Sequence, residues 1–182
     1  NLAFPSKFLK ISFIKRSSRF SAFDTMTTET KAGAGPSDEA PWHAAYPEPR
    51  TKDLPKITRE QLLERIKQGE KSGKGFVLID VRRTDFEGGT IEGAINLPAH
   101  SLYPTISTHY AIFKAAGISE AIWWCGSSNG RGPRCAGWFA DYVSSQGDAA
   151  MKSVVLEGGI KGWAKAGSEY VAHMQEYDAS KW

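Results

Sequence analysis

Cysteine is scarce in this chain. There are two in 182 residues, Cys125 and Cys135. Two cysteines cannot supply the disulfide framework of a small secreted scaffold, so a reducing compartment is expected. No C-x2-C pair or His/Cys cluster has zinc-ligand spacing, and His43, His100, His109 and His173 are scattered. No metal is expected. Long apolar runs are also missing, and none approaches the roughly 20 residues of a membrane-spanning helix. No membrane partner is expected. A basic surplus is missing outside the N-terminus. The net charge is +3, but residues 1–25 hold Lys7, Lys10, Lys15, Arg16 and Arg19 against Asp24 alone. The remainder carries 18 Lys and Arg against 19 Asp and Glu, so it lacks the electrostatic footprint of a nucleic-acid binder. What is present is 41% hydrophobic content, enough for one ordinary domain with a core and too little for two.

The chain divides into three parts. Residues 1–56 read as a basic N-terminal segment followed by a Pro/Gly-rich linker, mostly disordered. Residues 1–23 are basic, contain serines and have no acid, which suits a mitochondrial presequence. Met26, followed by Thr27-Thr28-Glu29-Thr30, reads equally as the start of a protein, with residues 1–25 an upstream extension. A contact of this segment with an anionic surface is a third reading. The expected location is the cytoplasm or nucleus, or the mitochondrion if the presequence is genuine. Pro36, Pro41, Pro47 and Pro49 interrupt any periodicity before residue 56, while Trp42 and Tyr46 could pin the arm to the domain surface. Residues 57–167 form the expected domain. Residues 168–182 read as a tail or short closing helix, with Val171, Met174 and Tyr177 on one face.

Within the domain the period of the apolar residues decides the elements. Thr58-Arg59-Glu60-Gln61 is a capping box, and Leu62, Leu63 and Ile66 follow on one helical face. Phe76 to Val81 is a continuous apolar and β-branched run interrupted by Asp80, as expected of a parallel strand buried on both faces. Short strands are expected at 94–98, 121–124 and 153–156. Helices are expected at 102–117, at 132–146 with Pro133 in its first turn, and from Gly158 onward. Strand alternating with helix predicts an α/β fold: three layers, a parallel central sheet with helices on both faces.

One loop carries chemistry. Cys125 ends a buried strand, and a helix begins about seven residues later. The carboxyl end of a strand is where open α/β sheets bind ligands. Gly126, Ser127, Ser128, Asn129 and Gly130 are small or tolerate unusual backbone angles, so their amides can curl around an anion. The following helix adds its positive end, and Arg131 a planar fork that matches two oxygens of phosphate or arsenate. The same environment favours the Cys125 thiolate, the nucleophilic form.

These residues bring a family into view. Cys125 to Arg131, continuing Gly132-Pro133, resembles the C-x5-R loop of cell-division-cycle dual-specificity phosphatases of the mitotic-inducer type and of eukaryotic arsenate reductases. Leu78-Ile79-Asp80-Val81-Arg82, Glu87 to Asn96, and Leu156 to Trp163 resemble the remaining signatures of the rhodanese fold that those enzymes share. The resemblance spans about residues 56–167 and implies a rhodanese-like domain. It implies Cys125 as nucleophile, with Arg131 and the amides of Gly126 to Gly130 holding the oxyanion. Asp80 would be a scaffold residue at its strand end, bonding to neighbouring backbone, with a general-acid role the alternative.

The sequence also departs from that pattern. Trp124 stands where these families place His before the cysteine, so its expected role is packing. Gly126 and Gly130 replace the glutamates of the inducer-type phosphatases, so the loop holds no acid for a leaving alcohol. Asp85 and Glu87 follow the first strand at a reach that the sequence leaves open. Val81 occupies the position of the second, protective cysteine. Cys135 is expected to be a small buried hydrophobe rather than a resolving thiol. His100, following a strand, could border the mouth of the site, although a surface role is the plainer reading.

Four functions remain in competition. The first two are a protein-tyrosine or dual-specificity phosphatase and an arsenate reductase, the latter using external glutathione or glutaredoxin as reductant. The third is a sulfurtransferase, disfavoured because sulfur-transferring rhodaneses use a loop one residue shorter. The fourth is a non-catalytic phospho-binding module. The expected partner is a phosphate- or arsenate-containing substrate, with no bound cofactor and a monomer or weak dimer as the assembly.

Overall fold

The computed structural model describes residues 40–182, so the expectations for residues 1–25 lie outside the described residues. Five strands form one parallel sheet: β1 (Lys56–Ile57), β2 (Phe76–Asp80), β4 (Ile95–Asn96), β5 (Glu120–Trp124) and β6 (Lys152–Leu156), in the order β1-β6-β5-β2-β4. Two more strands, β3 (Thr90–Ile91) and β7 (Met174–Gln175), pair antiparallel in a separate ribbon. The helices are α1 (Arg59–Lys67), α2 (Ala99–Leu102), α3 (Ile106–Ala115), α4 (Arg131–Ser145), α5 (Gly159–Ala164) and α6 (Ser168–Val171).

Alternation along the strands sorts the side chains into two cores. Phe76, Leu78, Ile122, Trp124 and Leu156 meet Leu62 and Leu63 of α1 and Ile160 and Trp163 of α5. Val77, Ile79, Val81, Ala121 and Trp123 face the other way, against α2, α3 and α4. Both faces of the sheet are therefore covered, which is why the strand sequences read as continuous apolar runs. The capping box starts α1 as the residue types require. Thr58 accepts from the Gln61 amide at 3.2 Å, and Gln61 accepts from the Thr58 amide at 2.9 Å.

Three sequence expectations change. The helix expected over 102–117 is two helices separated by a 3-10 turn at Tyr103–Thr105, because Pro104 cannot continue the α-helical ladder. The linker expected up to residue 56 is packed chain from Ala40 onward. Trp42 and Tyr46 lie against the α4 side of the core, and the Trp138 indole donates to the Pro47 carbonyl at 2.7 Å. The amides of Arg50 and Thr51 donate to Asp141 at 2.7 and 2.9 Å. Gly137 lets this arm pass, since a Cβ there would lie 2.7 Å from Pro49. The closing segment is α6 followed by strand β7, and Tyr170 rather than Val171 enters the core. Among the described residues no helix is long and apolar enough to cross a membrane.

Sheet order fixes where a ligand can sit. The chain leaves β2 toward the edge strand β4 and leaves β5 toward β6 on the opposite side. The crossovers diverge between β2 and β5. The crevice beyond their carboxyl ends is the topological switch point, and it is bounded by the segments that follow Asp80 and Trp124.

Candidate active site

Cys125 directly follows β5 and lines a cavity of about 550 Å3 with Gly126, Ser127, Gly130, Arg131, Asp85, Lys161 and Arg134. The amides of Gly126, Ser127, Ser128, Asn129 and Gly130 donate to no other described residue. The carbonyls of Cys125 and Gly126, in contrast, are tied down: they accept from the Ile160 and Lys161 amides at 3.1 and 2.9 Å. The β6–α5 turn thus anchors the loop by its acceptors and leaves its donors available, the polarity an anion requires. That turn can approach only because Gly159 lacks a side chain. At its φ of +59°, a Cβ would lie 2.5 Å from the Cys125 carbonyl oxygen and 2.9 Å from the Ser128 nitrogen.

Helix α4 begins at the loop's end. Gly130 is its N-cap and provides no side-chain cap, so the orphan amides of the first turn face an uncapped end. Ser128 adopts a left-handed φ of +56°, and its buried hydroxyl has no partner. Ser128 and Asn129, whose amides are expected around the oxyanion, line a neighbouring cavity with Lys52, Lys56 and Pro133. Their amides, rather than their side chains, remain available as donors.

Arg131 is not alone in the site. Its Nη1 donates to Asp85 Oδ1 at 2.8 Å, and its Nη2 donates to Asp85 Oδ2. The Arg131 guanidinium holds the Asp85 carboxyl well below the usual carboxylate range, against the opposing effect of partial burial. The sequence left the reach of Asp85 open, and the structure brings it across to the loop. Glu87 goes elsewhere and pairs with Lys181 at 2.9 Å.

Asp80 does not reach the cavity lining. It is fully buried and accepts from the Arg82 amide at 3.0 Å and the Thr90 hydroxyl at 2.9 Å. It also pairs with the Arg82 guanidinium, whose Nη2 donates to it at 2.7 Å. The guanidinium then donates to the backbone carbonyls of Asp85, Glu87 and Gly89 at 3.3, 3.1 and 2.7 Å. The pair therefore grips the segment that presents Asp85 to Arg131. Its chief partner is a side chain, where the sequence suggested backbone.

Aromatic residues form the outer wall. Trp42 stacks on His100 with ring centroids 4.5 Å apart, and His43 joins them in the cavity lining. Burial pushes the His100 ring below its ordinary value, with Arg83 and Arg131 acting in the same direction. Trp124 is fully buried in the core on the α1 side of the sheet, away from the α4 side. Cys135 is also fully buried, and burial pushes its thiol far above the ordinary range. Sequence reasoning missed Lys161 and Arg134. Arg134 pairs with Glu48 at 2.7 Å, whereas Lys161 makes no ion pair among the described residues. The stem of Lys161 lies beside the loop, since a Cβ on Gly126 would be 3.6 Å from its Cε. Only the close spacing of Gly158-Gly159 to Lys161 hinted at this.

The parallel sheet and the loop at its switch point define a known class. Residues 58–166 match the rhodanese-like domain, and the chain belongs to that family. It is 28% identical over 114 residues to Arsenical-resistance protein 2 of Saccharomyces cerevisiae, covering 59% of this chain and 85% of that protein. Among solved structures it is similar to the As-Sb reductase from Leishmania major. That match has a TM-score of 0.55 at 24% identity, covering 60% of this chain and 75% of that one. It is also similar to a yeast protein tyrosine phosphatase of the rhodanese family. Here the TM-score is 0.61 at 20% identity, covering 72% of this chain and 98% of the other. These structural likenesses concern the fold.

Proposed function

We propose that this protein is a Cys125-dependent oxyanion enzyme, with arsenate reduction as its reaction. The observation that carries the reading is the loop itself: Cys125, Gly126, Ser127, Gly130 and Arg131 line one cavity, the loop amides donate to no other described residue, and the loop runs into an uncapped helix start. Such donors stabilise a tetrahedral oxyanion and the charge that develops on it during attack. Arsenate is favoured over a phosphate ester by the state of the nearest carboxylate. Asp85, the carboxylate in the cavity lining, is ionised in the free site, where Arg131 holds it below the usual range, and so brings no proton for a leaving alcohol. The resemblance to an arsenical-resistance protein supports the same choice.

The electrons come from outside the chain. Cys135 is buried and its thiol is held protonated, so it is a poor resolving group. In the first step the Cys125 sulfur bonds to arsenic, and one arsenate oxygen leaves as water. An external thiol such as glutathione then attacks the Cys125 sulfur, and the S–As bonding pair passes to arsenic. Arsenic is thereby reduced from As(V) to As(III) and leaves as arsenite. A second external thiol, from glutathione or glutaredoxin, releases Cys125 and closes a disulfide between the two external thiols.

Three assays on the full chain test the reading: arsenate reduction with glutathione and glutaredoxin, p-nitrophenyl phosphate hydrolysis, and sulfur transfer from thiosulfate to cyanide. Arsenate reduction that is abolished by Cys125→Ser is expected. Ester hydrolysis exceeding arsenate reduction would return the phosphatase reading, and activity surviving Cys125→Ser would remove the mechanism altogether.

A further inference from the structure

We propose that Asp85 is a positioning residue that occupies Arg131 until an oxyanion displaces it, so that substrate binding is an exchange of one two-oxygen anion for another. The inference rests on reading the Cys125–Arg131 loop as an oxyanion site and assigns a role to a residue outside it. A carboxylate presents two oxygens to a guanidinium in the same edge-on manner as a face of phosphate or arsenate. Asp85 already makes that contact, its Oδ1 accepting from Arg131 Nη1 at 2.8 Å and its Oδ2 from Nη2. Both residues line the cavity of Cys125, so the contested fork lies inside the site.

Asp85 is held there from behind. Its own Oδ1 accepts from the Arg83 amide at 3.0 Å. The buried Asp80–Arg82 pair fixes the backbone at and after it through the carbonyls of Asp85, Glu87 and Gly89. The carboxylate can swing without moving its loop, and its side chain is 48% exposed, so water can receive it. Of the three cations lining the cavity, Arg131 and Arg134 are engaged by Asp85 and Glu48, whereas Lys161 has no ion pair among the described residues. An arriving oxyanion therefore meets the loop amides and Lys161 first, and gains Arg131 when Asp85 releases it. The exchange makes or breaks no covalent bond.

This arrangement selects by charge. A dianion such as phosphate or arsenate near neutral pH draws on Arg131 more strongly than a single carboxylate does. A monoanion gains no such advantage over Asp85. The device would thus hold the site against carboxylates and other monoanions while admitting the tetrahedral dianions.

The test measures oxyanion affinity without turnover. The full chain is alkylated with iodoacetamide at increasing inorganic phosphate, and the half-protecting concentration for Cys125 is compared between wild type, Asp85→Asn and Asp85→Glu. An exposed ion pair contributes little, so Asp85→Asn is expected to lower that concentration by about two- to fivefold. Asp85→Glu, which keeps the carboxylate, should stay within about twofold of wild type. Asp85→Ser serves in place of Asp85→Asn if that variant fails to fold. Protection that is unchanged or weaker in the neutral variants would overturn the exchange, because Asp85 would then only be orienting Arg131. Wild-type protein protected by neither phosphate nor arsenate would instead overturn the oxyanion reading, and the exchange with it.

Discussion

Replacing Arg82 with alanine should destabilise the protein severely, and the reason lies in what it leaves behind. Asp80 is fully buried and Arg82 is 2% exposed. The Arg82 guanidinium makes three contacts to that carboxylate, two from Nε at 3.0 Å and one from Nη2 at 2.7 Å. In Arg82→Ala the carboxylate keeps only the residue-82 amide and the Thr90 hydroxyl as donors, inside the fold. Removing one partner of a buried pair costs about 3–5 kcal/mol because the other charge is stranded. Domains are stable by only about 5–15 kcal/mol, so this is about a fifth or more of the total. The midpoint of thermal unfolding should fall by about 10 °C at this chain length. Urea unfolding followed by tryptophan fluorescence gives the number, with an unchanged slope confirming that stability alone moved. Arg82→Lys keeps the charge but loses the fork, and should fall between the two. If the stranded charge is the cause, adding Asp80→Asn to Arg82→Ala should recover part of the loss. A loss below about 1 kcal/mol in Arg82→Ala, comparable to an exposed pair, would refute the reasoning.

Two further perturbations follow from the same structure. Cys135→Ala should preserve arsenate reduction at a loss of about 1 kcal/mol from a small cavity. Iodoacetamide should label one thiol in the native protein and two after denaturation. Turnover lost in Cys135→Ala with the fold intact would make Cys135 the resolving thiol. Stability should decline in mild acid because burial holds His100 and His109 below their ordinary value. The unfolded chain then takes up protons first, so their contribution is complete above about pH 6.5 and is lost as pH falls through the folded values. His100→Gln with His109→Gln should flatten that decline, and an equally steep decline in the double variant would assign it to other groups. Asp85 has its folded value depressed in turn by Arg131. Its contribution is present above the ordinary carboxylate value of about 3.9 and is lost only in stronger acid, so it should add no limb to a rate profile between pH 5 and 8.

The elements that could be read from the sequence are those whose cause is local. Thr58 and Gln61 cap a helix three residues apart, and Phe76 to Ile79 is a continuous apolar run of a strand covered on both faces. Cys125 to Arg131 can be read as one unit because its seven residues are consecutive between β5 and the first turn of α4. The closing segment misled because Val171, Met174 and Tyr177 share a helical period. Met174 is instead drawn into a strand by Ile91, a partner 83 positions away. The Pro-rich arm was legible only in part, through Trp42 and Tyr46, which do pack against the core. Its prolines deny it secondary structure but not packing, and Pro47 and Thr51 bond to α4 through Trp138 and Asp141 without needing any.

The least legible part of the site is its electrostatics, and that part bears most on function. Counted along the chain, the loop has one cation within it, Arg131. Folding adds Arg134 and Lys161 to the lining and then engages two of the three with carboxylates from distant segments, Asp85 and Glu48. No spacing rule anticipates these pairs, because each joins positions dozens of residues apart. Their sense follows from the buried chemistry behind them. Arg82 cannot be buried without Asp80, and its remaining donors need carbonyls, so the 85–89 segment must fold over it. That fold delivers Asp85 to Arg131. The buried Asp80–Arg82 pair thus sets the charge partner that Arg131 has in the free cavity. A variant that loosens Asp80–Arg82 should therefore alter phosphate protection of Cys125 as well as the urea midpoint.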